Sequence, residues 1–210
     1  MMHGTGLFTR AAYDFRMHTP AAVTLLPVNG APEHSKLLAG IAALELMPGQ
    51  AAFVGEPWPM AQKALADPHR HLFAVTAGTA AACTIAAPAT AETSGGAGRA
   101  VVGMGILHVN AGRDAGWADN DSAILLRGFL IDRRAQGLGY GTAATEAAVG
   151  LAQGIAAELD LPAEGVVLGV NEDNAAGLRA YAHAGFADHG RYLGGRSGPQ
   201  RIMYRTFHTP

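Results

Sequence analysis

Three glycines in five positions, Gly137, Gly139 and Gly141, break up the stretch RRAQGLGYGTAATEAAVGLA at residues 133 to 152, which then runs into an alanine-rich helical pattern. A strand that turns through glycines into a helix gathers unpaired backbone N–H groups at the helix N-terminus, aimed at one point with the positive end of the dipole. Such a site holds phosphate or pyrophosphate. Glycine serves it because a Cβ blocks close approach of an anion, and because some of the positions need φ above zero. A nucleoside-triphosphate loop is excluded, since it needs Gly followed by Lys and Ser/Thr, whereas Thr142 and Ala143 follow Gly141. A dinucleotide fingerprint belongs in an early βαβ unit, and here roughly 130 residues precede the loop. The alternative that needs no ligand is a turn whose glycines only let a helix and a strand pack closely.

The rest of the chemistry-bearing residues narrow the field. Among nine histidines no pair stands at a persuasive metal spacing, and His69 and His71 alternate at a strand entrance, so no metal is expected. Cys83 is the only cysteine, which excludes an internal disulfide and an all-cysteine zinc site; among small apolar neighbours it reads as a core thiol. The net charge of -2, with no Lys/Arg run, points away from nucleic acid and from an anionic membrane surface. No run of about 18 apolar residues is present, and the first twenty residues lack the apolar core of a signal peptide, so a cytoplasmic protein is expected.

The elements that position the loop follow from periodicity. Residues 1–21 have no period and read as a loosely held arm; 22–210 read as one domain. AVTLLPV predicts a strand, PEHSKLLAGIAALEL an amphipathic helix with Leu37, Leu38, Ile41, Leu44 and Leu46 on one face, and PWPMAQKALADP a short second helix. HLFAVTAG and AAACTIA predict short strands or one interrupted strand, APATAETSGGAGR a hairpin loop, and AVVGMGILHVN and AILLRGFLID the central strands. Beyond the glycines, Ala144, Ala148, Leu151, Ile155 and Leu159 predict a helix face; EGVVLGVN a buried strand; NAAGLRAYAHAG a helix capped by Asn174 and ended by Gly185; FADHGRYLG and QRIMYRTF the last strands. The sum is an α/β (α+β) domain, a mixed and mostly antiparallel sheet flanked by helices.

Two segments taken together, FLIDRRAQGLGYG at 129–141 and GVNEDNAAGLRAYAHAGF at 169–186, resemble the Gcn5-related N-acetyltransferase superfamily. In the second, Val170, Asn171, Asn174, Tyr181, Gly185 and Phe186 stand in the family's order and spacing. LLPV, LELMPGQAAFV and RGFLID further resemble the bacterial diamine and spermidine acetyltransferase branch. The chain departs from that branch in Ala135, in its 87–99 loop, and in GGRSGPQRIMYR, which lacks an acid.

The resemblance implies acetyl-CoA as co-substrate and no metal. It implies that the backbone of Phe129, Leu130 and Ile131 meets the pantetheine arm as an added strand, and that Gln136, Gly137, Leu138, Gly139, Tyr140, Gly141 and Thr142 wrap the pyrophosphate, with Arg133 and Arg134 near the adenosine phosphates. It further implies that Asn171 and Asn174 contact the cofactor, and that Tyr181 protonates the departing thiolate. Each has a plainer reading: Tyr181 as a core aromatic, Tyr140 as packing, Asn171 and Asn174 as strand-end and cap residues, Arg133 and Arg134 as solvated loop flanks.

The implied reaction is direct attack by an amine on the thioester, without a covalent enzyme intermediate. A base must take the ammonium proton, and Glu45, Glu56, Asp119 and Asp121 are the candidates. The expected acceptor is a small-molecule amine, a polyamine first, then amino acids or aminoglycosides, with a protein amine behind them. The competing class is a non-catalytic acyl-CoA sensor of the same fold. Exposed edge strands offer a route to a homodimer.

Overall fold

The computed structural model of the protein describes residues 22–78, 99–195 and 198–207. The expectations placed on the 1–21 arm, on AAACTIA with Cys83, and on the loop up to residue 98 lie outside the described residues.

Seven strands form, all but the polar β6 on runs that hold β-branched or aliphatic residues: β1 Val23–Val28, β2 Arg70–Gly78, β3 Arg99–His108, β4 Ile124–Ile131, β5 Gly165–Asn171, β6 Ala187–Tyr192 and β7 Gln200–Thr206. They make one sheet in the order β1-β2-β3-β4-β5-β7-β6. Every neighbouring pair is antiparallel except β4 with β5. The helices are α1 Ser35–Ala42, α2 Ala51–Val54, α3 Pro57–Leu65, α4 Tyr140–Glu158 and α5 Ala175–His183. The order is the one expected from periodicity with one addition, the single turn α2.

Alternation along the strands gives the sheet two apolar faces. On one, Phe73, Val75, Leu107 and Leu126 pack under α4, whose Ala144, Ala148 and Ala152 are fully buried and let the helix backbone lie close to the sheet. On the other, Leu72, Ala74, Met104 and Leu130 meet Ile41 of α1 and Ala61 and Ala64 of α3. The buried stripe of α4 differs from the expected one in its last turn, where Ala152 and Ala156 are buried while Leu159 lies past the helix end and is exposed.

The first helix also stops short of its sequence pattern, at Ala42 rather than Leu46. The reason is tertiary. The Glu45 N–H donates to the Asp132 carboxylate at 3.0 Å, and the Glu45 carbonyl accepts from the Arg133 N–H at 2.8 Å. Those bonds tie the chain after Ala42 to the end of β4 and take it off the helical path.

Two features of β4 shape the space beside it. The β4–β5 register holds only at Ile124 with Val166 and Leu125 with Val167, so beyond Leu125 the strands part. Against β3, Ile106 pairs with Arg127 and Met104 with Leu130, which leaves one extra residue on β4; Gly128 within it has φ +56°. That is a β-bulge, which bends its strand and re-aims the backbone groups beside it. Here it lies in the stretch of β4 that no longer pairs with β5.

Candidate functional site

The glycine loop starts from a buried carboxylate. Asp132 ends β4 and caps the one-turn helix Arg133–Ala135, with Oδ1 accepting from the Arg134 N–H and from Arg134 Nε, both at 2.8 Å. Its Oδ2 accepts from Arg134 Nη2 at 2.7 Å and from the Glu45 N–H. Burial pushes the Asp132 pKa up, but these donors outweigh it and hold the carboxyl below the usual carboxylate range. Glu45 closes the network outside, at 2.6 Å from Arg133 Nη2 and 3.2 Å from Arg134 Nη1. The Gln136 amide then donates back to the Ile131 carbonyl at 2.9 Å.

Fixed in this way, the chain passes through Gly137 at φ +79° and Gly139 at φ +80°, a region that disfavours any side chain with a Cβ. Helix α4 follows at once, and the Ala143 N–H to Gly139 carbonyl bond of 3.2 Å marks its first turn. The N–H groups of Tyr140, Gly141 and Thr142 therefore have no acceptor within the helix. The Tyr140 ring is buried in the core beneath, leaving its backbone at the mouth, whereas the Leu138 side chain is exposed.

Between the parted strands lies a cleft of about 390 Å³. Leu126 and Phe129 of β4, Leu168 of β5 and Tyr181 of α5 line one part of it; Arg127 and Asp114 line another. The Tyr181 ring sits 6.4 Å from that of Phe129 and 6.1 Å from that of Phe186, centroid to centroid. Burial of the phenol pushes its pKa up to about 12, and among the described residues its hydroxyl has no hydrogen-bond partner. The edge of β4 and the Tyr181 phenol thus share the cleft, and the loop with its N–H donors follows β4 along the chain.

No protein-family model matches the chain, and no curated protein matches its sequence. Solved structures do. One is the aminoglycoside acetyltransferase AAC(6')-Ib in complex with coenzyme A, at a TM-score of 0.57 and 18% identity over 88% of this chain and 95% of that one. Another is the spermidine N-acetyltransferase from Vibrio cholerae in complex with CoA and spermine, at 0.55 and 16% over 88% and 95%. The fold is the Gcn5-related N-acetyltransferase fold. A third, AAC(6')-Ib with ribostamycin and coenzyme A, gives 0.56 and 19% over 88% and 93%.

Within this acetyltransferase fold the expected residues fall into distinct groups. The loop from Gln136 to Thr142 and the β4 stretch Phe129, Leu130 and Ile131 stand together along one run of chain. Asn171 and Asn174 organise the β5–α5 turn: Asn171 Oδ1 accepts from the Asp173 N–H and Asn174 Oδ1 from the Gly177 N–H, both at 2.9 Å. Arg133 and Arg134 are engaged with Glu45 and Asp132. Of the base candidates, Glu45 is taken by those two arginines. Asp119 is spent on a turn, where N–H bonds from Ser122 and Asp121 hold its carboxyl below the usual range. Glu56 and Asp121 are exposed, and none of the four lines the cleft.

Sequence reasoning missed Asp114 and Arg127, the charged pair that does line it. The signal was there: Arg127 is the one charge between Ala123 and Ile131, inside the strand otherwise richest in aliphatic residues.

Proposed function

We propose that the protein is an acetyl-CoA-dependent N-acetyltransferase acting on a small-molecule amine. The observation that carries this is the parting of β4 from β5 after Leu125, with the open N–H groups of the Gly137–Thr142 loop at one end and the Tyr181 phenol facing the gap. A pantetheine arm fits such an edge as an added strand, accepting and donating where β5 no longer does. A pyrophosphate fits the start of α4, where donors and helix dipole add. Acetyl-CoA, when bound, supplies an activated thioester carbonyl for attack by an amine.

The chain's own groups then have three tasks. The loop and β4 hold and orient the donor, which removes most of the entropic part of the barrier. Water or a base reached through it takes the proton released as the C–N bond forms. Tyr181 donates toward the sulfur as the C–S bond breaks and recovers a proton from solvent. A phenol near 12 is a weak acid beside a thiol of about 8.5, so transfer in water runs uphill. The apolar walls of Phe129 and Phe186 disfavour a thiolate for the same reason that they disfavour a phenolate, which narrows the gap.

The sequence resemblance suggests polyamines first, then amino acids or aminoglycosides, and the charge pattern of the cleft bears on the choice among them. The test is calorimetric titration with acetyl-CoA, followed on the same sample by free-thiol release with polyamines, amino acids and aminoglycosides. Micromolar binding with thiol release is the expected result. Binding without release on any amine transfers the reading to a sensor or to a protein acceptor, and no binding overturns it.

A further inference from the structure

The Arg127 end of the cleft has a charge pattern that bears on the acceptor. Cross-strand pairing sets Arg70 opposite His108 and Ile106 opposite Arg127, so Arg70, His108 and Arg127 stand on one face of the sheet. Lys63 of α3 faces the same cleft, and among the described residues that line it the only acid is Asp114.

The cations there are incompletely satisfied. Arg127 uses Nη1 alone, 3.0 Å from Asp114 Oδ2 and 3.3 Å from His108 Nδ1. Its Nε and Nη2, the edge that matches a carboxylate or phosphate in a two-bond fork, make no bond among the described residues. Arg70 Nε lies 3.0 Å from Asp67 Oδ2 but out of line for a hydrogen bond, and its two Nη groups are likewise unbonded among the described residues. Lys63 has no partner among them. Burial, then Arg70 and Arg127 beside it, push the His108 pKa down. Even counting Asp67, three cations face two carboxylates. A polycation would be repelled there, and an anion would complete three open donors.

We propose that the acceptor is a small amine that also carries an anionic group, a carboxylate or a phosphate, held by the free edge of Arg127 together with Arg70 and Lys63. This rests on the transferase reading and specifies its substrate. The anion anchors one end of the molecule while its amine is directed along the cleft toward Tyr181.

The experiment compares three amines of one chain length, 4-aminobutyrate, butylamine and 1,4-diaminobutane, as acceptors at saturating acetyl-CoA. The pair O-phosphoethanolamine and ethanolamine distinguishes phosphate from carboxylate. The expected kcat/KM for the better anionic amine is about tenfold or more above 1,4-diaminobutane, with the neutral amine between and the difference mainly in KM, as a charge-assisted bond predicts. Lys63→Glu, on an exposed helix position, should shrink or reverse that ratio without changing acetyl-CoA affinity. Arg127→Gln should do the same.

Equal or better use of 1,4-diaminobutane by the wild type overturns the proposal and leaves the transferase reading standing. So does a ratio unmoved in both variants, or acetyl-CoA binding with no acetylation of either anionic amine. Absence of acetyl-CoA binding removes both.

Discussion

Two arginine–carboxylate pairs belong to the same strand, one just past its end and one at its middle, and they are used in opposite ways. Asp132 is fully buried and accepts four hydrogen bonds, three of them from Arg134, whose Nη1 reaches Glu45 and whose Nη2 also donates to the Ala43 carbonyl. Asp114 is more than half exposed and, among the described residues, accepts one bond, from an arginine whose other edge makes none. Identical chemistry becomes scaffold where every donor is matched, and a binding surface where some are not. Desolvation explains the division, since a buried charge must be fully paired to be tolerated, whereas a partly wet one can wait for a ligand.

The sharpest way to test the donor side is Gly139→Val. A β-branched residue at φ +80° cannot keep the loop conformation and puts a side chain where an anion would sit, so acetyl-CoA binding by calorimetry should be lost. Circular dichroism should show the fold retained.

Asp132→Ala should cost about 3 to 5 kcal/mol in urea unfolding, because it takes the acceptor from two backbone N–H groups and leaves Arg134 with only Glu45 and the Ala43 carbonyl. The pH dependence has a definite sign. The Asp132 carboxyl is held low in the folded state, so its stabilisation is present above the ordinary aspartate pKa and fades as pH falls through the lowered one. Wild type and Asp132→Asn should accordingly converge on acidification. Parallel curves down to pH 2 would show that the network is not what braces the loop.

Tyr181→Phe should lower kcat by about 100-fold while acetyl-CoA affinity stays within about twofold, since only the proton donor is removed. With its pKa near 12 in the fold, Tyr181 stays protonated well past pH 10, so no alkaline loss of rate should trace to it there. Equal turnover in the two proteins would remove it from the mechanism.

The smallest effect belongs to the open pair. Asp114→Ala should change stability by less than about 1 kcal/mol, as exposed ion pairs do. A loss as large as that of Asp132→Ala would erase the contrast between the two regions.

Much of this was legible in the chain. The glycine triplet, the Asn174 cap, the Gly185 helix end and the succession of strands and helices along the chain follow from local rules that act over a few residues: backbone freedom, capping and period. The limits of α1 and the last buried turn of α4 were not, because Glu45 and Ala156 take their places from partners far away in sequence. The base candidates failed for the same reason. An acid's pattern in the sequence says nothing of whether an arginine 88 residues away claims it, as Arg133 claims Glu45.

The sequence by itself determined the α/β architecture, the loop that can hold an anion, and the tyrosine that lies downstream of it, since each is written in residue type and short spacing. Only the tertiary structure decided where β4 leaves β5, which charges are consumed and which are left open, and hence what the cleft can accept. Those outcomes depend on a bulge of one residue and on pairings across the sheet. Such terms sum over distant contacts, and no local stretch of chain contains them.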